Sequence, residues 1–125
     1  MIEGIGVDVV EINRIQRSIN EWGVVFLNKV FTEHELSYAQ SKKNATHHIA
    51  ARFAVKEAVA KALATGWSGG LRWKDIEVKN DASGKPSVIL YGHVKNLLKG
   101  SKVLVSISHS DSVVVAMAVI ESTKQ

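Results

Sequence analysis

The sequence predicts an α+β domain with helices packed on one face of a mainly antiparallel sheet. Three observations predict it. Ile2 to Val10 is a short β-branched apolar run that reads as a buried strand. Helical periodicity then fills the chain as far as the Gly66-Trp67-Ser68-Gly69-Gly70 turn. After that turn come short strand-like runs punctuated by Asn, Asp, Gly and the only proline, Pro86. A strand, a block of helices and then several strands fit one domain spanning residues 1–125, with neither linker nor repeat.

Within the first strand, Gly4 and Gly6 point to a bulge or a close backbone approach. Gly4-x-Gly6 is no dinucleotide fingerprint, because Val9 stands where a third Gly would be needed. Asp8 is disfavoured in a strand and must cap, pair or ligate. Glu11 to Trp22 is an amphipathic helix with Ile12, Ile15 and Ile19 inward, Arg14 and Arg17 on its outer face, and Gly23 as its stop. Val24 to Val30 continues as a short apolar helix. Thr32 and Glu35 form a capping box for a helix ending near Ser41. Asn44 or Thr46 caps the long helix that follows, which runs from His47 to Ala64, is rich in alanine and carries Arg52, Lys56, Glu57 and Lys61. Asp75–Lys79 and Ser87–Tyr91 read as strands, His93–Lys99 as a helix, and Val103–Ser108 with Val113–Ile120 as a closing antiparallel pair turned by His109–Ser112.

Composition narrows the function. At 125 residues, 46% hydrophobic and 22% charged, the chain suits a globular domain able to bury about two-thirds of its unfolded surface. It has no cysteine, which excludes disulfides and thiolate metal sites and suits a reducing compartment. With neither signal-peptide pattern nor membrane span, the cytoplasm is the expected location and no membrane is engaged. A net charge of +4 points to an anionic partner. The basic residues are scattered, however, and no nucleic-acid-binding signature accompanies them, so nucleic acid is not expected.

The central helix is apolar on more than one flank yet carries charge, and buried charge must be paired or bound to an ion. Glu57 and Lys61, four apart, share a face. An ordinary salt bridge explains that spacing; so does a carboxylate and an ammonium facing an anionic ligand. Spacing leaves both open. The five histidines lack zinc-site spacing, and Gly84-Lys85 lacks the pattern of a phosphate-binding P-loop. His109 stands in a turn dense with hydroxyl donors, which suits a phosphate or nucleotide.

Taken in order, Gly6-Val7-Asp8, Phe31-Thr32-Glu33-His34-Glu35, Arg52-Phe53-Ala54-Val55-Lys56-Glu57-Ala58-Val59-Ala60-Lys61, Gly84-Lys85-Pro86 and Ser106-Ile107-Ser108-His109-Ser110 resemble the phosphopantetheinyl transferases, specifically the short bacterial holo-acyl-carrier-protein synthase type. The resemblance covers essentially the whole chain. Ala64-Thr65-Gly66 departs mildly from the family pattern, in which a Gly often precedes Thr-Gly. The resemblance implies a phosphopantetheinyl transferase-like α+β fold. The implied activity moves the phosphopantetheine arm of coenzyme A onto a serine of apo-acyl carrier protein with Mg²⁺, releases adenosine 3′,5′-bisphosphate and supports fatty acid biosynthesis. It makes Asp8 and Glu57 the Mg²⁺ ligands and Lys61 a phosphate contact, these three forming the catalytic set. Coenzyme A contacts are expected from Arg52, Lys56, Lys61, Gly84, Lys85, Pro86, Ser108 and His109, with His109 at the 3′-phosphate and ribose end. A homotrimer with interfacial active sites is implied as well. The Arg14 and Arg17 face suits an acidic carrier helix. The motifs leave open which group takes the serine proton, with Glu57 one candidate. The competing reading is a non-catalytic nucleotide- or nucleic-acid-binding basic module.

Overall fold

Helix α4 (Ala45–Ala62) lies across a three-stranded antiparallel sheet of order β1-β5-β4, built from β1 (Ile2–Glu11), β4 (Ser101–His109) and β5 (Val113–Ser122). The computed structural model describes residues 1–63 and 66–123. Ala64 and Thr65, and with them the end expected for the long helix and the start of Ala64-Thr65-Gly66, lie outside the described residues. Helices α1 (Ile12–Trp22), α2 (Val24–Val30) and α3 (Glu33–Gln40) come between β1 and α4. A separate antiparallel hairpin of β2 (Ile76–Asn80) and β3 (Pro86–Leu90) follows, and α5 (Gly92–Leu97) leads back to the sheet.

Small residues let the helix come down onto the sheet. A Cβ on Gly4 would sit 2.1 Å from the Ala62 carbonyl oxygen, and one on Gly6 would sit 1.9 Å from that of Ala58. No L side chain fits there, so the glycines serve close approach. Both forms of the expectation are met, because the β1–β5 register also shifts between Ile2 and Gly4. On β5 the inward positions beside α4 are Val114, Ala116, Ala118 and Ile120, all buried. The core then closes with Ile12 and Ile15 of α1, Phe31, and Ile49, Val55 and Val59 of α4.

Several boundaries move by a residue or two. The hairpin strands begin and end one residue away from the expected ones, α5 starts at Gly92, and β4 extends to His109, making that histidine the last residue of a strand. Asp8 caps nothing: the N-cap of α1 is Glu11, and the first helical N–H, from Ile12, donates to the Ser112 carbonyl. Asn44 holds the N-cap position of α4 without a side-chain bond, while Thr46 donates to Gln16. The Thr32–Glu35 capping box forms in both directions. The glycine-rich turn contains a 3₁₀ segment, Gly66–Gly69.

Alternation places Gly4, Gly6, Asp8 and Val10 of β1 toward α4 and Ile5, Val7 and Val9 outward. The outward three are exposed, Ile5 at 61% and Val9 at 63%. Register sets them beside Val119, Met117 and Val115 of β5, and those beside Leu104, Ser106 and Ser108 of β4. The far side of the sheet is therefore a mostly apolar surface that none of the described residues covers. No helix among the described residues is long and apolar enough to cross a membrane.

Candidate active site

The close approach of α4 and β1 brings two carboxylates together. Asp8 lies two residues beyond Gly6 on the same face, and Glu57 and Lys61 each precede one of the alanines whose carbonyls touch the glycines. Asp8 and Glu57 consequently line one cleft of about 220 Å³ with Val9, Val10, Arg14, Ile15, Ser18, Phe26 and Phe53. Its lining joins apolar Val9, Val10, Ile15, Phe26 and Phe53 to polar Asp8, Arg14, Ser18 and Glu57. Phe26 and Phe53 were missed by motif, although Phe53 was legible as the residue one helical turn before Glu57.

Lys61 does not bridge to Glu57, the salt bridge that spacing allowed. Its Nζ lies 2.9 Å from Asp8 Oδ1 and 3.3 Å from the Val7 carbonyl oxygen. The Lys61 side chain is 53% exposed and that of Asp8 14%. Its hydrogen bond to Asp8 raises the Lys61 pKa. Glu57 is also held above the ordinary carboxylate range, first by burial and then by the Asp8 charge. The Trp67 indole, Lys61 and Arg14 work against that rise. Repulsion between two hard anionic oxygen donors, with basic groups around them, is the electrostatic setting a small divalent cation would relieve. Among the described residues no group of three or more His, Cys, Asp or Glu could hold a metal. A cation here would have two protein carboxylates and draw its other ligands from elsewhere, which Mg²⁺ accepts.

The expectation for Lys56 is corrected. It is fully buried, ion-paired to Glu35 Oε1 at 2.9 Å and donating to the Trp73 and Ile76 carbonyls. All three ammonium donors are used, so none remains for a ligand. Glu35 is equally satisfied: Oε1 also takes the Thr32 N–H and Oε2 the Val78 N–H. Arg52 is corrected as an open contact. It is 1% exposed, donates to Asn80 Oδ1 at 2.7 Å and lies 4.3 Å from the centre of the Tyr38 ring. Asn80 in turn donates to the Gly84 carbonyl, tying α4 to the exposed Gly84-Lys85 loop that Pro86 closes into β3.

His109 reaches the other end of α4, with its ring 6.4 Å from that of His47. His48 lies beside Tyr38, and its pKa is lowered by burial first and then by Arg52, Lys42 and the other two imidazoles. Ion pairs among the described residues are Lys56–Glu35, Lys61–Asp8 and Lys102–Glu121. Lys42, His47, His48, Arg52 and His109 thus form a basic region without a carboxylate at ion-pair distance. Ser108 faces the opposite side of the sheet from His109, and the Ser110 hydroxyl accepts the Ser112 and Val113 N–H groups of its own turn. His47 and Glu57 are ten residues apart on one helix, about 15 Å. A single chain therefore holds the carboxylates and the imidazoles at two separate places. Arg14 joins the first; Arg17 is exposed on α1 and does not line the cleft.

A fold of this kind with paired carboxylates at one edge of its sheet and a basic region at the far end of its long helix defines a class that handles phosphorylated substrates. The profile described as 4′-phosphopantetheinyl transferase superfamily matches residues 4–118, and the chain belongs to that family. The chain is 48% identical over 119 residues to the holo-[acyl-carrier-protein] synthase of Protochlamydia amoebophila, covering 95% of this chain and 98% of that one. The Neisseria meningitidis holo-[acyl-carrier-protein] synthase superposes with a TM-score of 0.90 at 34% identity, covering 98% and 100% of the two chains. The Bacillus anthracis synthase, solved in complex with CoA (3′,5′-ADP), gives 0.83 at 40% identity and 98% coverage of both.

Proposed function

We propose that this chain is a holo-acyl-carrier-protein synthase, transferring the 4′-phosphopantetheine of coenzyme A to a serine of an apo-acyl carrier protein in fatty acid biosynthesis, in the cytoplasm. The observation that carries this reading is the pairing of Asp8 and Glu57 in one cleft, with Lys61 bonded to Asp8, in a chain similar along its length to such synthases. Asp8 and Glu57 are the residues that would hold Mg²⁺, which when bound neutralises charge on the transferring phosphoryl group and its leaving group. Lys61 supplies an exposed ammonium for a phosphate oxygen, one that Asp8 keeps oriented. Ile15, Phe26 and Phe53 give the cleft an apolar wall. The basic region around His109, His47 and His48, with the Lys85 loop nearby, receives the 3′-phosphate and ribose end of coenzyme A, and buried Arg52 adds charge from behind. Arg14 and Arg17 present a positive helix face to an acidic carrier.

The assembly is a homotrimer with active sites between subunits. Two features support it: the uncovered apolar side of the sheet and the distance along α4 between the carboxylates and His109. Mass spectrometry of apo-carrier incubated with enzyme, coenzyme A and Mg²⁺ tests the function. A gain of one phosphopantetheine that needs the metal and is lost in Asp8→Asn and Glu57→Gln, with folding intact, is expected. An unmodified carrier would leave only a basic binding module. Mixing Glu57→Gln with a His109 substitution tests shared sites: activity should return once subunits exchange.

A further inference from the structure

Asn80 ends β2 opposite Pro86, the first residue of β3. The loop between them, residues 81–85, closes on Asp81. The Asp81 carboxylate accepts the N–H groups of Ser83 and Lys85, and its carbonyl accepts that of Gly84. Its own N–H donates to the Lys85 carbonyl at 3.0 Å. The loop is thus held in shape by its own groups, as Asp does in tight turns. The Asn80 amide does something else, because it joins the loop to the long helix. Its Oδ1 accepts from Arg52 Nη2 at 2.7 Å, across 28 residues of sequence, and its Nδ2 donates to the Gly84 carbonyl at 3.0 Å. Arg52 is buried against the Tyr38 ring, and that ring in turn meets His48 at 5.6 Å. Exposed Lys85 therefore hangs from a loop tethered, through one side-chain amide, to a buried arginine beside the imidazole region.

We propose that Asn80 is a positioning residue: bonded to Arg52 and to the Gly84 carbonyl, it holds the Gly84–Lys85 loop against α4 so that Lys85 is presented to the phosphate-bearing end of coenzyme A. An amide suits both tasks, accepting through its oxygen and donating through its nitrogen, whereas a carboxylate only accepts and an alkyl group does neither. Arg52, too buried for open contact, serves as the anchor. The proposal rests on the reading of the Lys85 loop as a coenzyme A contact.

The test is a double-mutant cycle on the full chain. Asn80→Val removes both bonds and leaves a β-branched residue suited to a strand end. It should raise KM for coenzyme A about fivefold, with kcat and KM for the carrier changed less than about twofold. Lys85→Ala should raise the same KM, and adding Asn80→Val to it should bring no further rise, since the amide acts through Lys85. In hydrogen exchange followed by NMR, the Gly84 and Lys85 amides should exchange faster in Asn80→Val. They should also do so in Asn80→Asp, which keeps the acceptor for Arg52 and loses the donor to Gly84. An unchanged KM for coenzyme A, equal losses in kcat and both KM values, or rises that multiply in the double variant would each overturn the proposal. If Lys85→Ala leaves KM for coenzyme A unchanged, it is the loop's assignment to coenzyme A that fails. The exchange rates then judge the tether by themselves: faster loop amides uphold it and wild-type rates overturn it.

Discussion

Glu57 and Lys56 are neighbours in sequence, and burial sends them to opposite tasks. Glu57 has its pKa raised by burial and by Asp8, so it binds its proton more tightly folded than unfolded. The sign follows by linkage: its contribution to stability is fullest in acid and is lost as pH rises through its raised folded value. In chelator, Glu57→Gln should therefore gain stability relative to wild type as pH rises above the ordinary carboxylate range, read by denaturant midpoints. A difference that stays constant with pH would contradict the shift. Lys56 has the reverse character. Lys56→Met leaves Glu35 buried and unpaired and should cost about 3–5 kcal/mol. The thermal midpoint should drop by roughly 10–20 °C. Changing Glu35 to Leu as well should recover much of that loss. The sequence said only that charge on this helix must be paired or bound to an ion. It could not say which, because a helix apolar on several flanks has no single solvent side, and the partner, Glu35, lies on another helix. Lys61 was legible through its one-turn spacing from Glu57, although its companion proved to be Asp8.

At the scale of elements, contact between β1 and α4 creates the site. Both halves of that contact were written in the chain as glycines in the strand and alanines in the helix. Gly6→Ala forces the helix away by the width of a methyl group and should cost about 3 kcal/mol. Its activity should fall further than its stability explains, since Asp8 and Glu57 separate. Normal turnover per folded molecule would mean that their spacing is unimportant. Element types followed from caps and periodicity, as the capping box at Thr32 and the stop at Gly23 show. The second hairpin shifted by one residue because a strand end is set by hydrogen bonding across the pair, here Asn80 opposite Pro86.

The whole molecule offers one sheet face to its own helix and leaves the other bare. The apolar first strand was read as buried, which holds for Gly6 and Val10; Ile5, Val7 and Val9 are exposed. Val7→Glu on this face should reduce the mass seen by light scattering to that of one 13.7 kDa chain, with helix content unchanged and transfer lost. A monomer that remained active would separate assembly from catalysis.

That bare face has a kinetic consequence. If three copies complete one another's sites, the working catalyst forms by mass action, and its share of the chains falls steeply on dilution. Rate per milligram would then depend on how much enzyme is present, and a concentrated stock diluted into assay buffer would slow with time as subunits part. Coenzyme A, spanning two chains, would resist that loss and hold the particle together at concentrations where the bare protein comes apart.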